Sequence, residues 1–476
     1  MNYYTIIGLE VHLELKTESK AFCGCSTQFG TEPNSQTCPV CLGLPGSLPV
    51  LNKKALSYAL KTGLALNCGI ADFTKFDRKN YFYPDLPKNF QISQYDKPLS
   101  HDGFLDVETA GAIKRIRIKR VHLEEDTGKL IHKDDEASSL IDFNRSGRPL
   151  LEIVSEPDIN SAQEAYDYLT QLKAILQYLD VSDCDMEKGS LRCDANISLS
   201  PDPKKLGTKT EIKNLNSFKA VKLALEYEVQ RQIKILNENG KIIQQTRLWD
   251  DKKGVTVAMR SKEEAHDYRY FPEPDLVPFI FDSKDIKEVK DNLPELPVQR
   301  RKRFISDFGL SEYDANVLTQ DKELSDYFQE CAKEYNKPKM VANWLLSDIA
   351  AVMNNKSKGI KDLNLTVKNL VDMLKMIDSG AISGKIAKDI LVYMIETGKP
   401  AKDIVEEKGL KQISDDKAIT DAAEKVLKEN PKAVEDFKRG KDTVLVFLVG
   451  QLMRQTKGKA NPEMANKILR EKLGGL

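Results

Sequence analysis

Residues 9–15 read Leu-Glu-Val-His-Leu-Glu-Leu, and this strict alternation constrains the fold more than any other stretch of the chain. Successive side chains of a strand point to opposite faces, so Leu9, Val11, Leu13 and Leu15 form an apolar face while Glu10, His12 and Glu14 share the other. The same period recurs over residues 191–199, where Leu191, Cys193, Ala195, Ile197 and Leu199 alternate with Arg192, Asp194, Asn196 and Ser198. It returns over residues 208–213, with Lys209, Glu211 and Lys213 on one side. Between residues 113 and 125 the apolar phase changes from Ile116 and Ile118 to Val121 and Leu123, which predicts a bulge or twist that re-aims Glu124 and Glu125. These strands are expected to carry carboxylates on their polar faces.

Helices are expected between the strands. Ser161 followed by Glu164 forms a capping box ahead of a stripe of Ala165, Leu169, Leu172, Leu176 and Leu179, and a second helix runs from about Ser217 to Gly240. The result is a mixed α+β first domain, residues 1–293, closing in the proline-rich stretch Pro272, Pro274, Pro278, Pro294 and Pro297. Beyond it helical patterns dominate, as over residues 339–353 and 367–377, with turns at Gly380, Gly384 and Gly398. An all-α domain at residues 294–405 and a small helical tail at residues 406–476 follow. A length of 476 residues, at about 150 per domain, also suggests three domains.

Lys plus Arg and Asp plus Glu each total 72, so the formal net charge is zero. That balance argues against coating of nucleic acid by bulk charge and leaves room for a local basic patch. One such patch closes the chain, where Arg454, Lys457, Lys459, Lys467, Arg470 and Lys472 oppose only Glu463 and Glu471. The longest strongly apolar stretch, residues 444–449, is far short of the roughly 20 needed to cross a bilayer. With no targeting pattern at its start, the protein is expected in the cytoplasm.

Four of the eight cysteines are grouped, as Cys23-x-Cys25 and Cys38-Pro-Val-Cys41. Two close pairs with glycine and proline in the turns present four thiolates to one tetrahedral ion, so a closed structural Zn²⁺ site is expected. Cys68, Cys184, Cys193 and Cys331 read as ordinary thiols. Glu10, His12, Glu124, Glu125, Asp194 and Glu211 form a second constellation, a hard-ligand set suited to Mg²⁺ that would in turn hold phosphate oxygens. Phosphoryl transfer is the implied use, with these six as the catalytic residues. No Walker A, Rossmann or nucleophile-elbow pattern occurs, so any ATP is held by metal and by basic side chains, for which Arg192, Lys209, Lys213 and Arg269 are available.

The runs IGLEVHLEL, CPVCLGLPGSLPVLN, RKNYFYPDLPKNFQISQYD, HLEEDTGK, SLRCDANISL, EIKNLNSFKAV, MRSKEEAHDYRYFPEPDL and GKANPEMAN span nearly the whole chain. Together they resemble the GatB family, one of the three components of the glutamine-dependent aspartyl/glutamyl-tRNA amidotransferases. The resemblance implies a cradle related to glutamine synthetase on an antiparallel sheet, then a helical domain and a tail related to the YqeY family. It implies that ATP phosphorylates the side-chain carboxylate of Glu on tRNA(Gln) or Asp on tRNA(Asn), and that ammonia displaces the phosphate. The ammonia would come from glutamine hydrolysed in a partner, GatA, tied on by a small third component, GatC. Carried over by position, His12, Glu125 and Glu211 would ligate Mg²⁺ directly, while Glu10, Glu124 and Asp194 complete the acidic bowl. Lys79 and Lys88 would line the ammonia channel, and Arg454, Lys457, Lys459 and Asn461 would meet tRNA. Two other readings compete: a nonenzymatic zinc-containing RNA-binding protein, and a stand-alone ligase resembling glutamine synthetase.

Overall fold

The computed structural model describes residues 3–132, 138–259, 267–410, 416–456, 460 and 462–474. Contacts divide the chain into two units, Met1–Pro297 and Val298–Leu476. In the first, nine strands form one sheet: β1 (Tyr4–Glu14), β2 (Gly69–Ile70), β3 (Ser100–Thr109), β4 (Ala112–Glu125), β5 (Pro149–Ser155), β6 (Leu191–Ser200), β7 (Thr210–Lys213), β8 (Gln245–Asp250) and β9 (Val255–Ala258). Their spatial order is β9-β8-β7-β6-β1-β5-β4-β3-β2, antiparallel throughout except for β7 beside β8.

The alternation of β1 decides which face is buried. Ile7, Leu9, Val11 and Leu13 join Val121, Leu123, Leu151, Ile153 and Leu191 in the core, beneath helices α1 (Lys53–Ala65), α2 (Ala162–Tyr178) and α3 (Phe218–Asn237). The register then stacks polar positions on the other face. Glu10 lies opposite Asp194, and His12 lies opposite Arg192 on one side and Glu152 on the other. Glu152 in turn lies opposite His122 of β4. Where the apolar phase of β4 changes, its register against β5 shifts, with Arg120 opposite Val154 but Ile118 opposite Ser155, which is the bulge the sequence predicts.

Both helix starts are capped as expected, Ser161 Oγ accepting from the Glu164 N–H at 3.1 Å and Ser217 Oγ from that of Ala220 at 3.0 Å. The Glu164 carboxylate reaches one residue further than a capping box, accepting from the Asn160 N–H at 2.8 Å. At the end of α3 the left-handed residue is Asn239, with φ of 58°, rather than Gly240. Gly240 is instead a point of close approach, since a Cβ there would lie 2.8 Å from the Ile235 side chain.

The outer strands are tied to α3 by one buried carboxylate. Glu228, fully buried, accepts from Arg231 Nε and Gln232 Nε2 at 2.9 Å and from Thr256 Oγ1 at 3.0 Å.

Among the described residues the second unit holds only helices, and its buried apolar side chains form two clusters. One contains Phe304, Phe328, Leu374 and Met394, the other Ile419, Val426, Leu448 and Leu469. The expected helix over residues 339–353 is interrupted, as Pro338–Trp344, a π-helical turn at Leu345–Ile349, and Ala350–Lys356. No helix among the described residues is long and apolar enough to cross a membrane.

Replacing Glu228 with Ala would leave the half-buried Arg231 and Arg247 and the buried Gln232 without their shared carboxylate. The expected loss of stability in the first unit is about 3–5 kcal/mol, to be measured by denaturant unfolding.

Candidate functional site

The polar row gathers around one imidazole. His12 Nε2 stands 3.5 Å from Glu152 Oε2, 3.6 Å from Glu10 Oε1 and 4.0 Å from Glu124 Oε1. A second imidazole closes the row, with His122 Nε2 3.3 Å from Glu124 Oε2 and 3.7 Å from Glu152 Oε2. Two groups of ligand atoms result, Glu10 with His12 and Glu152, and His122 with Glu124 and Glu152, each within 4.8 Å of one another. Glu152 belongs to both. Arg120 donates to Glu152 Oε1 at 2.8 Å, and Ser93 Oγ donates to Glu124 at 2.9 Å.

Crowded carboxylates set the electrostatics. Burial opposes charge on His12, yet its hydrogen bond to Glu152 and the charges of Glu124, Glu152 and Glu10 hold its pKa above the ordinary imidazole value. Burial also opposes charge on Glu152, but His122, His12 and Arg120 outweigh it and hold the carboxyl well below the usual range. Glu124 is lowered in the same way by His122 and Lys79. Glu10 goes up, through burial and the nearby charges of Glu152 and Asp194, against the pull of His12 and Lys213.

The structure brings Glu10, His12 and Glu124 of the expected six together and leaves three outside the two groups. Glu125 follows Leu123 on the opposite face of β4, where it pairs with Lys88 and accepts from the Ile92 N–H at 2.9 Å. Asp194 accepts from Lys213 Nζ at 2.8 Å, and Glu211 lies 3.4 Å from the same ammonium while accepting from Thr246 Oγ1 at 2.7 Å. Sequence reasoning missed Glu152 and His122. The signal for Glu152 is a single carboxylate inside the apolar run Pro-Leu-Leu-Glu-Ile-Val, the pattern of a strand buried on both faces.

Arg192 donates to Asp126 Oδ2 at 2.7 Å and lines a cavity of about 650 Å³ with Asp194, Arg145, Arg148, Lys188 and Asn214. Lys213 is spent on Asp194 and Glu211, while Lys209 and Arg269 are exposed. Lys79 places its ammonium 4.8 Å from the centre of the Tyr268 ring. Lys88 is buried against Glu125 and the rings of Phe22 and Phe90.

Cys23, Cys25, Cys38 and Cys41 bring their four sulfurs within 4.8 Å of one another. Behind them Lys20, fully buried, sets Nζ 3.7 Å from Cys41 Sγ and donates to the Phe143 carbonyl at 3.2 Å. A hydrogen bond from Cys23, opposed by burial and aided by the Cys38 backbone and Lys20, draws the Cys41 thiol below its ordinary range. Four converging thiols suit a soft tetrahedral ion. Of the expected tRNA contacts, Arg454 is exposed in the last turn of Val444–Gln455, and Lys457, Lys459 and Asn461 lie outside the described residues.

The row sets carboxylates and imidazoles, a donor set that suits a hard divalent ion, on one face of the mostly antiparallel sheet, and a cavity lined by charges of both signs includes its neighbours Glu14, Arg192 and Asp194. Residues 5–287 match the family described as GatB/GatE catalytic domain, and residues 326–473 match the GatB domain that carries the YqeY name. A Thermoanaerobacter sp. protein, named as the B subunit of aspartyl/glutamyl-tRNA(Asn/Gln) amidotransferase, is 57% identical over 474 residues, 99% of this chain and 100% of that protein. Proteins of the same name from Carboxydothermus hydrogenoformans and Brevibacillus brevis are 57% and 54% identical, over 100% of this chain and 99% of each relative. The chain belongs to the GatB/GatE family.

Glu14 gives a pH test at the rim of the cavity. Burial and the charge of Asp126 raise its carboxyl to about 7, against the pull of Arg148, while the ordinary value is 4.5. Between those values the folded state binds the extra proton, so stability from this group is greatest below pH 4.5 and is lost as pH rises toward 7. Glu14→Gln should therefore gain on the wild type by on the order of 1–3 kcal/mol between pH 5 and pH 8, read from denaturant midpoints.

Proposed function

We propose that this chain is the transamidating component that converts Glu-tRNA(Gln), Asp-tRNA(Asn) or both into the amidated form. The observation that carries this reading is the row of Glu10, His12, Glu124 and Glu152 in a chain that matches named amidotransferase components over its full length. Residues 1–293 would perform the chemistry, residues 294–405 would form the helical domain, and residues 406–476 would bind tRNA through Arg454, Lys457, Lys459 and Asn461.

Glu10, His12, Glu124 and Glu152, with His122 beside them, would hold Mg²⁺. Glu125, Asp194 and Glu211 would act from the flanks. When bound, the ion offsets repulsion between the substrate carboxylate and ATP and stabilises charge on the transferred phosphoryl group. The carboxylate oxygen attacks the γ-phosphorus and ADP leaves; ammonia then attacks the acyl carbon, phosphate leaves, and the nitrogen sheds a proton. Arg192 at the cavity edge would meet phosphate oxygens through its planar fork, with Lys213, Lys209 and Arg269 in support. Ammonia loses its nucleophilic lone pair when protonated, so it must travel shielded from water. The buried Lys88, paired with Glu125, and Lys79 against its tyrosine would line that path. GatA would generate the ammonia and GatC would join the two, in a cytoplasmic heterotrimer. A nonenzymatic RNA-binding role gives no reason for the buried row, and a stand-alone ligase gives none for the basic tail.

The test combines this chain and both partners with Glu-tRNA(Gln) or Asp-tRNA(Asn), Mg-ATP and glutamine. Gln-tRNA or Asn-tRNA should form, and Glu152→Gln should lower that rate about 100-fold while leaving glutamine hydrolysis in place. Failure of the wild type to amidate either substrate overturns the reading.

Cys23, Cys25, Cys38 and Cys41 would hold structural Zn²⁺. Metal analysis of chelator-free protein should give one zinc per chain, lost in Cys41→Ser; a wild-type chain without stoichiometric zinc removes the site.

A further inference from the structure

Four tyrosines form a group near the row, and of these only Tyr268, beside Lys79, enters the reading above. Tyr95 and Tyr270 stack with ring centres 4.1 Å apart and planes 9° from parallel. Tyr268 meets Tyr270 edge-on at 6.0 Å and Tyr81 at 5.9 Å, so the rings form one continuous wall. Its frame is firmly held. The Asn80 N–H donates to the Tyr268 carbonyl at 3.0 Å, and the Asn80 side chain donates to the Arg269 carbonyl at 2.8 Å. Phe271 and Pro272 pair with Arg78 and Asp77, and the Arg78 fork binds both oxygens of the buried Glu273 at 2.7 and 2.9 Å. The Tyr95 N–H donates to Asp77 at 3.1 Å.

The wall adjoins the row, because Ser93, two residues before Tyr95, donates from Oγ to Glu124 at 2.9 Å. After burial, the charges of Glu124 and Glu152 push the Tyr270 phenol up, and those of Asp85 and Glu124 do the same to Tyr81. At its outer end Tyr95 is 59% exposed, an aromatic ring in water.

We propose that the open face of Tyr95 receives the adenine of the aminoacylated 3′-terminal nucleotide of the tRNA. This rests on the transamidation reading above. The reacting carboxylate hangs from the ribose of a terminal adenosine, so that base must come to rest within one aminoacyl group's reach of Glu124 and Glu152. Stacking reads the π-face of a base and ignores the sequence behind it, which suits a site serving tRNAs that share only their adenosine end. The triphosphate has separate candidates in Arg192 of β6, on the other side of β1, and in Arg145, Arg148 and Lys188, which line the same cavity.

The test uses the heterotrimer with Tyr95→Ala and Tyr95→Phe. A lost base stack of about 1–3 kcal/mol corresponds to a rise of about 5- to 150-fold in KM for aminoacyl-tRNA in Tyr95→Ala. The KM for ATP, glutamine hydrolysis and the unfolding midpoint should stay unchanged, and Tyr95→Phe should behave as wild type. A rise in KM for ATP alone would assign the wall to the adenine of ATP. Unchanged constants, or equal impairment in Tyr95→Phe, would show that no adenine stacks on the ring. Binding of uncharged tRNA with and without its 3′-terminal adenosine needs no catalysis, so it separates failure of this inference from failure of the transamidation reading. Wild type should lose affinity when the adenosine is removed, and Tyr95→Ala should not distinguish the two tRNAs.

Discussion

The antiparallel register of β1 between β5 and β6 is the constraint on which the polar row depends. It sets His12 opposite Glu152 on one side and Arg192 on the other, and Glu10 opposite Asp194. A slip of one residue would send Glu10 and His12 into the core and Leu9, Val11 and Leu13 to the reacting face. The fully buried apolar side chains of β1 therefore hold the geometry of the polar row as well as the fold. No single pair in the row is strong enough to hold it, because its carboxylates repel one another and its two imidazoles are shared.

The cations near the row are distributed with the same economy. The basic residues of β4 could have neutralised the carboxylates, yet Lys114 binds Glu164, Arg115 binds Asp106 and Arg117 binds Asp158. Only Arg120, next to the bulge, turns its charge to Glu152. The bulge thus shifts the strand from a face committed to surface ion pairs to one that delivers His122 and Glu124. A neutral chain in this way keeps a locally anionic row, which the overall charge does not reveal.

Strand alternation made β1, β6 and the polar face of Glu10 and His12 legible in the sequence, because a half-buried strand writes its period directly. Glu152 was hidden because β5 is buried on both faces and carries no period to read. Glu125 was misplaced despite a visible cue: it shares parity with Val121 and Leu123, and so faces away from Glu124 once the phase has changed. The tyrosine wall could not be read, since its prolines suggest a linker while Phe271 and Pro272 pair with a strand nearly 200 residues earlier in the chain. Gly240 shows the same limit at small scale, for the left-handed turn fell to Asn239 and glycine was required by a neighbour no local rule sees.

Close packing joins the cysteine loop to the far end of β4. Gly43 follows the loop in a left-handed conformation, with φ of 68°, and a Cβ there would lie 2.5 Å from Lys88 Cγ. At Gly147, with φ of 83°, a Cβ would make ordinary contacts, 3.4 Å from Cys41 Cβ, 3.5 Å from Lys20 Cδ and 3.8 Å from a Glu125 oxygen, so backbone conformation rather than space favours glycine there. These two glycines therefore lie among the cysteine loop, the buried Lys20 and the Lys88–Glu125 pair. The cysteine loop is thereby packed close to Glu125, one residue along the strand from Glu124.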